Sequence, residues 1–159
     1  MIVLGIDPGA TGGFAGVYKC GDGQLAIADA RMTPLRNVTK KPMLDVITLD
    51  AWLHELSADV GVIEQVSAMP KQGVSSSFQF GRMYGAAESL LHTWCNRFFY
   101  VTPVVWKKKM GLSSDKVSSL DLATSIFGNE ARDRFWPLKK NEGVAEAALL
   151  AAWWIKENV

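Results

Sequence analysis

Met1–Gly13 reads MIVLGIDPGATGG. Ile2, Val3, Leu4 and Ile6 are large, apolar and mostly β-branched, which predicts a short strand buried on both faces. Asp7 stands at the end of that strand, and a glycine-rich turn, Pro8-Gly9-Ala10-Thr11-Gly12-Gly13, follows at once. A carboxylate is costly to bury unless it is paired or holds a metal. Glycines beside it let a ligand approach the backbone. The stretch therefore points to an active site. Taken alone, Asp7 also fits a solvated turn residue beside a hairpin.

A second apolar run, Val60-Gly61-Val62-Ile63, ends in Glu64 in the same way. Two buried strands that each end in an acid can set both acids side by side at one edge of a sheet. A third element supplies more. The final helix, expected over about 142–157, begins Glu142-Gly-Val-Ala-Glu146 and then becomes apolar on nearly every side. Glu142 and Glu146 are four apart and share a helix face. Acids also suit the first turn of a helix, and that reading fits Glu142 well. It fits Glu146 less well, because Glu146 leads into small residues that let the helix lie close to the sheet.

Between these landmarks the chain reads as strand, strand, strand, helix, strand, helix, strand and three helices. Phe14–Tyr18 and Gln24–Met32 complete a meander with the first strand, joined by the turn Cys20-Gly21-Asp22-Gly23. Residues 33–42 read as an exposed, partly basic loop. Residues 49–56 read as a helix with Leu49, Trp52, Leu53 and Leu56 on one face, and His54 lies off that stripe. Residues 66–77 read as a loop and 78–94 as a long helix, in which Gly81 and Gly85 would let another backbone approach. Arg97–Val101 is a fifth strand. Thr102-Pro103 opens a short helix, Ser113 or Ser114 caps the next, and that helix is expected to stop at Gly128. A polar connection over 129–141 would then lead into the last helix. The fold class expected is α/β: a mixed five-stranded sheet flanked by helices, in one domain over 1–159.

Composition narrows the class. The 159 residues are 48% apolar and 21% charged, enough for a real core and too apolar for a disordered chain. A net charge of +1 announces no nucleic-acid partner, so any binding surface must come from local clustering. Cys20 and Cys95 are far apart with no nearby histidine spacing, which predicts two reduced thiols, a cytoplasmic setting and no zinc site. No apolar run approaches a membrane span, and a signal peptide is not expected, because Asp7 interrupts the only apolar N-terminal run.

Clustered carboxylates without histidine or cysteine suit hard cations such as Mg²⁺ or Mn²⁺. Two such ions, about 3.5–4 Å apart, can activate water and stabilise a leaving oxygen in phosphodiester hydrolysis. The basic clusters Lys107–Lys109 with Lys116, and Lys139 with Lys140, would flank such a site and meet phosphates. Phe135-Trp136, in the basic connection, is expected to stack on bases. Trp52, Trp94, Trp153 and Trp154 fit helix faces in the core or a dimer contact.

The order Ile-Asp7-Pro-Gly, Ile63-Glu64-Gln65-Val66, Phe80-Gly81-Arg82-x-x-Gly85, Thr102-Pro103 and Ala145-Glu146-Ala147 resembles the RuvC-type Holliday junction resolvases, of the ribonuclease H-like fold. The resemblance spans nearly the whole chain. It implies a homodimeric, metal-dependent endonuclease of DNA recombination and repair that cuts four-way junctions with paired nicks. It also implies Asp7, Glu64 and Glu146 as metal ligands, and Lys107 and Lys116 as basic catalytic residues; Glu142, from its place one turn before Glu146 on the same helix face, is the candidate fourth acid. Lys71, Arg82, Lys108, Lys109, Lys139 and Lys140 would contact DNA.

There are departures. The cellular enzymes carry an aromatic wedge soon after the Glu-Gln-Val segment; here the positions are Ser67, Ala68 and Met69, and Met69 is the apolar substitute. The family's fourth acid lies three residues before the third, which here is Gly143, with Glu142 its neighbour. The pattern is closer to phage-encoded members, acting in the cytoplasm of a bacterial or phage-infected host cell. Two other classes fit part of the pattern. Actin-like ATPases and sugar kinases share the strand-Asp-x-Gly-x-Thr-Gly loop, but they need a second domain of similar fold. A non-catalytic homologue that binds branched DNA is the third, and the acids at 7, 64 and 146 disfavour it.

Overall fold

The computed structural model describes residues 1–37, 41–67, 73–112 and 118–159. Its main sheet has the order β3-β2-β1-β6-β7. The strands are β1 (Ile2–Asp7), β2 (Gly13–Lys19), β3 (Leu25–Met32), β6 (Val60–Glu64) and β7 (Arg97–Val101). β1, β2 and β3 form the antiparallel meander, and β1–β6 and β6–β7 are parallel. The α-helices among the described residues are α1 (Val46–Leu56), α2 (Val74–Trp94), α3 (Pro103–Lys109), α4 (Ser119–Phe135) and α5 (Glu142–Asn158).

Strand parity explains the layers. On β1, Leu4 and Ile6 face a cluster built with Leu49, Trp52 and Leu53 of α1 and Leu91 of α2. Val3 faces the opposite cluster, with Val60 and Val62 of β6 and the alanine-rich flank of α5. Successive side chains alternate across a strand, so Asp7 shares the α5 face with Val3 and Gly5. Glu64 shares it with Val60 and Val62 by the same rule. Val3 pairs with Val60 and Ile6 with Ile63, which brings the two acids to the same end of neighbouring strands.

α5 can lie on this face because glycines clear its path. A Cβ on Gly5 would overlap the carbonyl oxygen of Ala147, and one on Gly13 would stand 2.7 Å from Val144 Cα. At the start of α5, Gly12 and Gly143 form a backbone bridge. A Cβ on Gly143 would overlap the Thr11 carbonyl oxygen and stand 2.6 Å from Gly12 Cα.

Several boundaries differ from the sequence reading. The loop expected over 33–42 contains β4 (Leu35–Arg36), which pairs with β5 (Met43–Leu44). α1 starts three residues earlier than its apolar stripe, because the Asp45 side chain accepts from the Thr48 backbone N–H and caps it. α2 starts at Val74, one turn before Phe78; its first turn holds three serines, which hid it. α4 does not stop at Gly128. The chain kinks there (φ 87°) and resumes helix to Phe135 through Glu130, Ala131 and Arg132, all good helix formers. The connection expected over 129–141 is therefore largely helical. Ser118, followed three residues on by Asp121, caps α4; Ser113 and Ser114 lie outside the described residues. Trp136 is corrected from a base-stacking residue to a core one: it is buried, and its indole N–H donates to Thr124 Oγ1. Cys20 and Cys95 are free thiols, and His54 is exposed.

Candidate metal centre

Asp7 on β1, Glu64 on β6 and Glu146 on α5 each offer a carboxylate oxygen, and these oxygens all lie within 4.8 Å of one another. Each acid comes from a different element, so this cluster exists only in the folded chain. Asp7 and Glu146 are partly buried and Glu64 is 6% exposed.

Three acids this close cannot all ionise at ordinary cost. Burial, then Glu146 and Glu64, push the Asp7 carboxyl up from 3.8 to about 8, against the pull of Lys107. Burial raises Glu64 as well, and a hydrogen bond from Trp106 opposes that shift. Lys107 answers part of the charge. Its Nζ lies 2.8 and 2.9 Å from the two oxygens of Glu146. Burial disfavours the ammonium, but Glu146 outweighs it and the Lys107 pKa rises.

Two residues that hold the acids were not singled out from the sequence. Trp106 Nε1–H donates to Glu64 Oε1 at 2.9 Å. Ser119 Oγ donates to Glu146 Oε1 at 2.7 Å, and Ser119 is itself buried. The Ser118-x-x-Asp121 capping pattern was the available signal for where α4 begins, and hence for Ser119. Trp106 carried no signal beyond its place in a short helix.

A cavity of about 390 Å³ opens beside the acids. Its wall includes Asp7, Glu142, Glu146, Lys139, Lys140 and Thr11. Glu142 thus shares the cavity one helical turn from Glu146, but it is not among the three acids whose oxygens converge. Lys139 and Lys140 sit in a short 3-10 helix just before α5. Lys108 lines a separate recess with Pro103, Val104 and Lys107. Lys109 pairs with Glu157 near the C-terminal end of α5. Arg82 lies away from the acids, against Phe78 and the Met43 sulfur. Met69, Lys71 and Lys116 lie outside the described residues.

The donor set is entirely carboxylate oxygen. That suits Mg²⁺ or Mn²⁺ and not the softer metals that favour histidine or thiolate. Asp7, Glu64 and Glu146 would hold such an ion, which when bound supplies charge neutralisation and an activated water. No helix among the described residues is long and apolar enough to cross a membrane.

No protein-family model matches the chain, and no curated protein matches it. Solved structures do. A structure of RuvC from Thermus thermophilus matches with a TM-score of 0.70 at 17% identity, over 99% of this chain and 96% of that one. Thermus thermophilus RuvC in complex with a Holliday junction substrate matches at 0.64 and 15%, over 99% and 97%. The yeast mitochondrial Holliday junction resolvase Ydc2 matches at 0.67 and 17%, over 97% and 77%. The chain has the ribonuclease H-like fold of these structures.

Proposed function

We propose that this chain is a metal-dependent, structure-selective endonuclease that resolves four-way DNA junctions by paired phosphodiester hydrolysis. The observation that carries the proposal is the convergence of Asp7, Glu64 and Glu146 on a fold matched along almost its whole length to junction resolvases. In this reading 1–159 acts as one nuclease domain. The three carboxylates would hold Mg²⁺ or Mn²⁺, two ions in all, which would supply an activated water and charge neutralisation at the scissile phosphate, with Glu142 assisting from the cavity wall. Lys107 pairs with Glu146; a metal held there would compete for those oxygens, and the Lys107 ammonium is placed to contact the phosphate. Lys139 and Lys140 hold the backbone at the cavity rim. Lys108 extends the basic surface beyond Lys107, Lys109 and Arg82 are assigned to DNA contacts away from the acids, Lys71 and Met69 are assigned to DNA contact, and Lys116 is assigned, with Lys107, to the basic catalytic groups.

The test compares four-way, three-way, flap and linear DNA with Mg²⁺ or Mn²⁺. Symmetric nicks in the four-way substrate support the proposal. Equal cutting of linear DNA, or consumption of ATP without nicking, overturns it.

The rim lysines give a salt-dependent signature. Lys139→Ala with Lys140→Ala is expected to weaken junction binding and to reduce the log–log salt slope by about 0.9 for each phosphate left without its lysine. Fluorescence anisotropy at several salt concentrations checks this, and an unchanged slope returns both lysines to the solvated surface.

Paired cuts require two active centres, and the proposed assembly is a homodimer. Val74, Phe78, Gly81 and Gly85 recur at helical spacing on α2. Val74 is 88% and Phe78 68% exposed, and a Cβ on either glycine would meet nothing within 4 Å. This open face supports close approach of a second copy. Light scattering at micromolar concentration is expected to give twice the chain mass; a monomer with and without junction DNA would refute the dimer.

A further inference from the structure

α3 spans seven residues, and two adjacent side chains on it grip two different acids. The grips differ in kind. Lys107 and Glu146 form an ion pair partly open to solvent, with side chains 31% and 16% exposed. A divalent cation competes with that ammonium for the same oxygens. Trp106 is 1% exposed, uncharged, and donates to a single oxygen of Glu64. It does not compete with a cation, because it brings no charge and uses only Oε1. Among the described residues no hydrogen bond engages Oε2.

A buried indole N–H needs an acceptor, and a buried carboxylate needs a donor. A free glutamate side chain also samples many rotamers, and ordering it costs entropy. Here that ordering is done before any ligand arrives. We propose that Trp106 is the positioning residue of the metal centre: its indole N–H fixes Glu64 so that Oε2 is presented to a cation shared with Asp7 and Glu146. This inference rests on the metal-binding reading above. Partners of this type hold ligands in the orientation that coordination requires. Mg²⁺ demands near-ideal octahedral geometry, so loss of the donor should harm Mg²⁺ binding more than Mn²⁺ binding.

The experiment replaces Trp106 with β-(3-benzothienyl)alanine, which keeps the ring volume and exchanges N–H for sulfur. Mn²⁺ affinity is read from the electron paramagnetic resonance of the free aqua ion, and Mg²⁺ affinity by competition with it, so no activity is involved. The expected result is at least about tenfold weaker Mn²⁺ binding, a larger loss for Mg²⁺, and a thermal transition that is lowered by the unpartnered acceptor but still cooperative, which shows the fold intact. Trp106→Phe serves as the second variant and identifies the Trp106 indole resonance in ¹⁵N-labelled protein, which should shift when Mg²⁺ is added. Normal Mn²⁺ and Mg²⁺ affinity in the isostere, or an indole resonance indifferent to Mg²⁺, overturns the positioning role and leaves the metal centre standing. Absence of Mn²⁺ binding by the unsubstituted protein overturns both.

Discussion

Asp7→Asn and Glu64→Gln are each expected to reduce junction cleavage at least about 10³-fold while four-way junction binding persists. Metal-ion stabilisation of a transition state is worth several kcal/mol, and each 1.36 kcal/mol is tenfold in rate. Both acids stand at the ends of buried strands, where the proposed function has them hold metal and not the DNA backbone. Removing negative charge beside a phosphate should, if anything, tighten binding. The metal-free fold offers a control against simple unfolding. Asp7 has its pKa raised by folding from 3.8 to about 8. The folded chain therefore takes up a proton that the unfolded chain has lost, and stability falls as pH rises from about 4 through about 8. Asparagine has no such proton to lose. In EDTA, Asp7→Asn should melt above the unsubstituted protein, with a gap that widens between about pH 5 and pH 9. An inactive variant that melts lower and no longer binds junctions would show that the residue serves the fold, not the chemistry.

Glu146→Gln is expected to abolish cleavage with both Mg²⁺ and Mn²⁺, whereas Glu142→Ala should lower it about tenfold, in the range typical of outer metal-site partners. The two acids share a helix face, but only Glu146 brings an oxygen within 4.8 Å of those of Asp7 and Glu64. Glu142 is in the first turn of α5, on the cavity wall, and is the weakest of the influences acting on Asp7. A long side chain at that distance positions its carboxylate loosely. Activity should therefore be better with Mn²⁺ than Mg²⁺, and Glu142→Asp should alter the Mg²⁺-supported rate more than the Mn²⁺-supported rate. Cleavage kinetics with each metal decide the matter. If Glu142→Ala leaves rate and metal dependence untouched, Glu142 only complements the helix dipole.

The acids could be found in the sequence because strand parity and apolar runs are local signals. Val60, Val62 and Glu64 alternate onto one face whatever the rest of the chain does, and so do Val3, Gly5 and Asp7. The alanines after Glu146 are a local signal of close packing as well. The residues that hold the acids gave no such signal. Trp106 reaches Glu64 because β7 aligns with β6 and the chain turns at Thr102-Pro103, which is a fact of register. Ser119 reaches Glu146 only because α4 crosses α5 at its first turn. Trp136 misled for a related reason: its basic neighbours suggested a surface, while the helix that resumes after Gly128 carries it into the core.

The bridge between Gly12 and Gly143 has a consequence for how this chain could change over time. The resolvases it resembles carry an acid at the position Gly143 occupies, and a single substitution would seem to restore it. That route is closed. Any side chain at 143 collides with the backbone of the Thr11–Gly12 turn, which is the same turn that follows Asp7. Gly143→Asp would displace the start of α5, and with it Glu146, from the acids it must meet. Position 143 is thus tied to that turn: an acid can stand there only if the Thr11–Gly12 backbone shifts with it, whereas an acid at 142 asks for no such change.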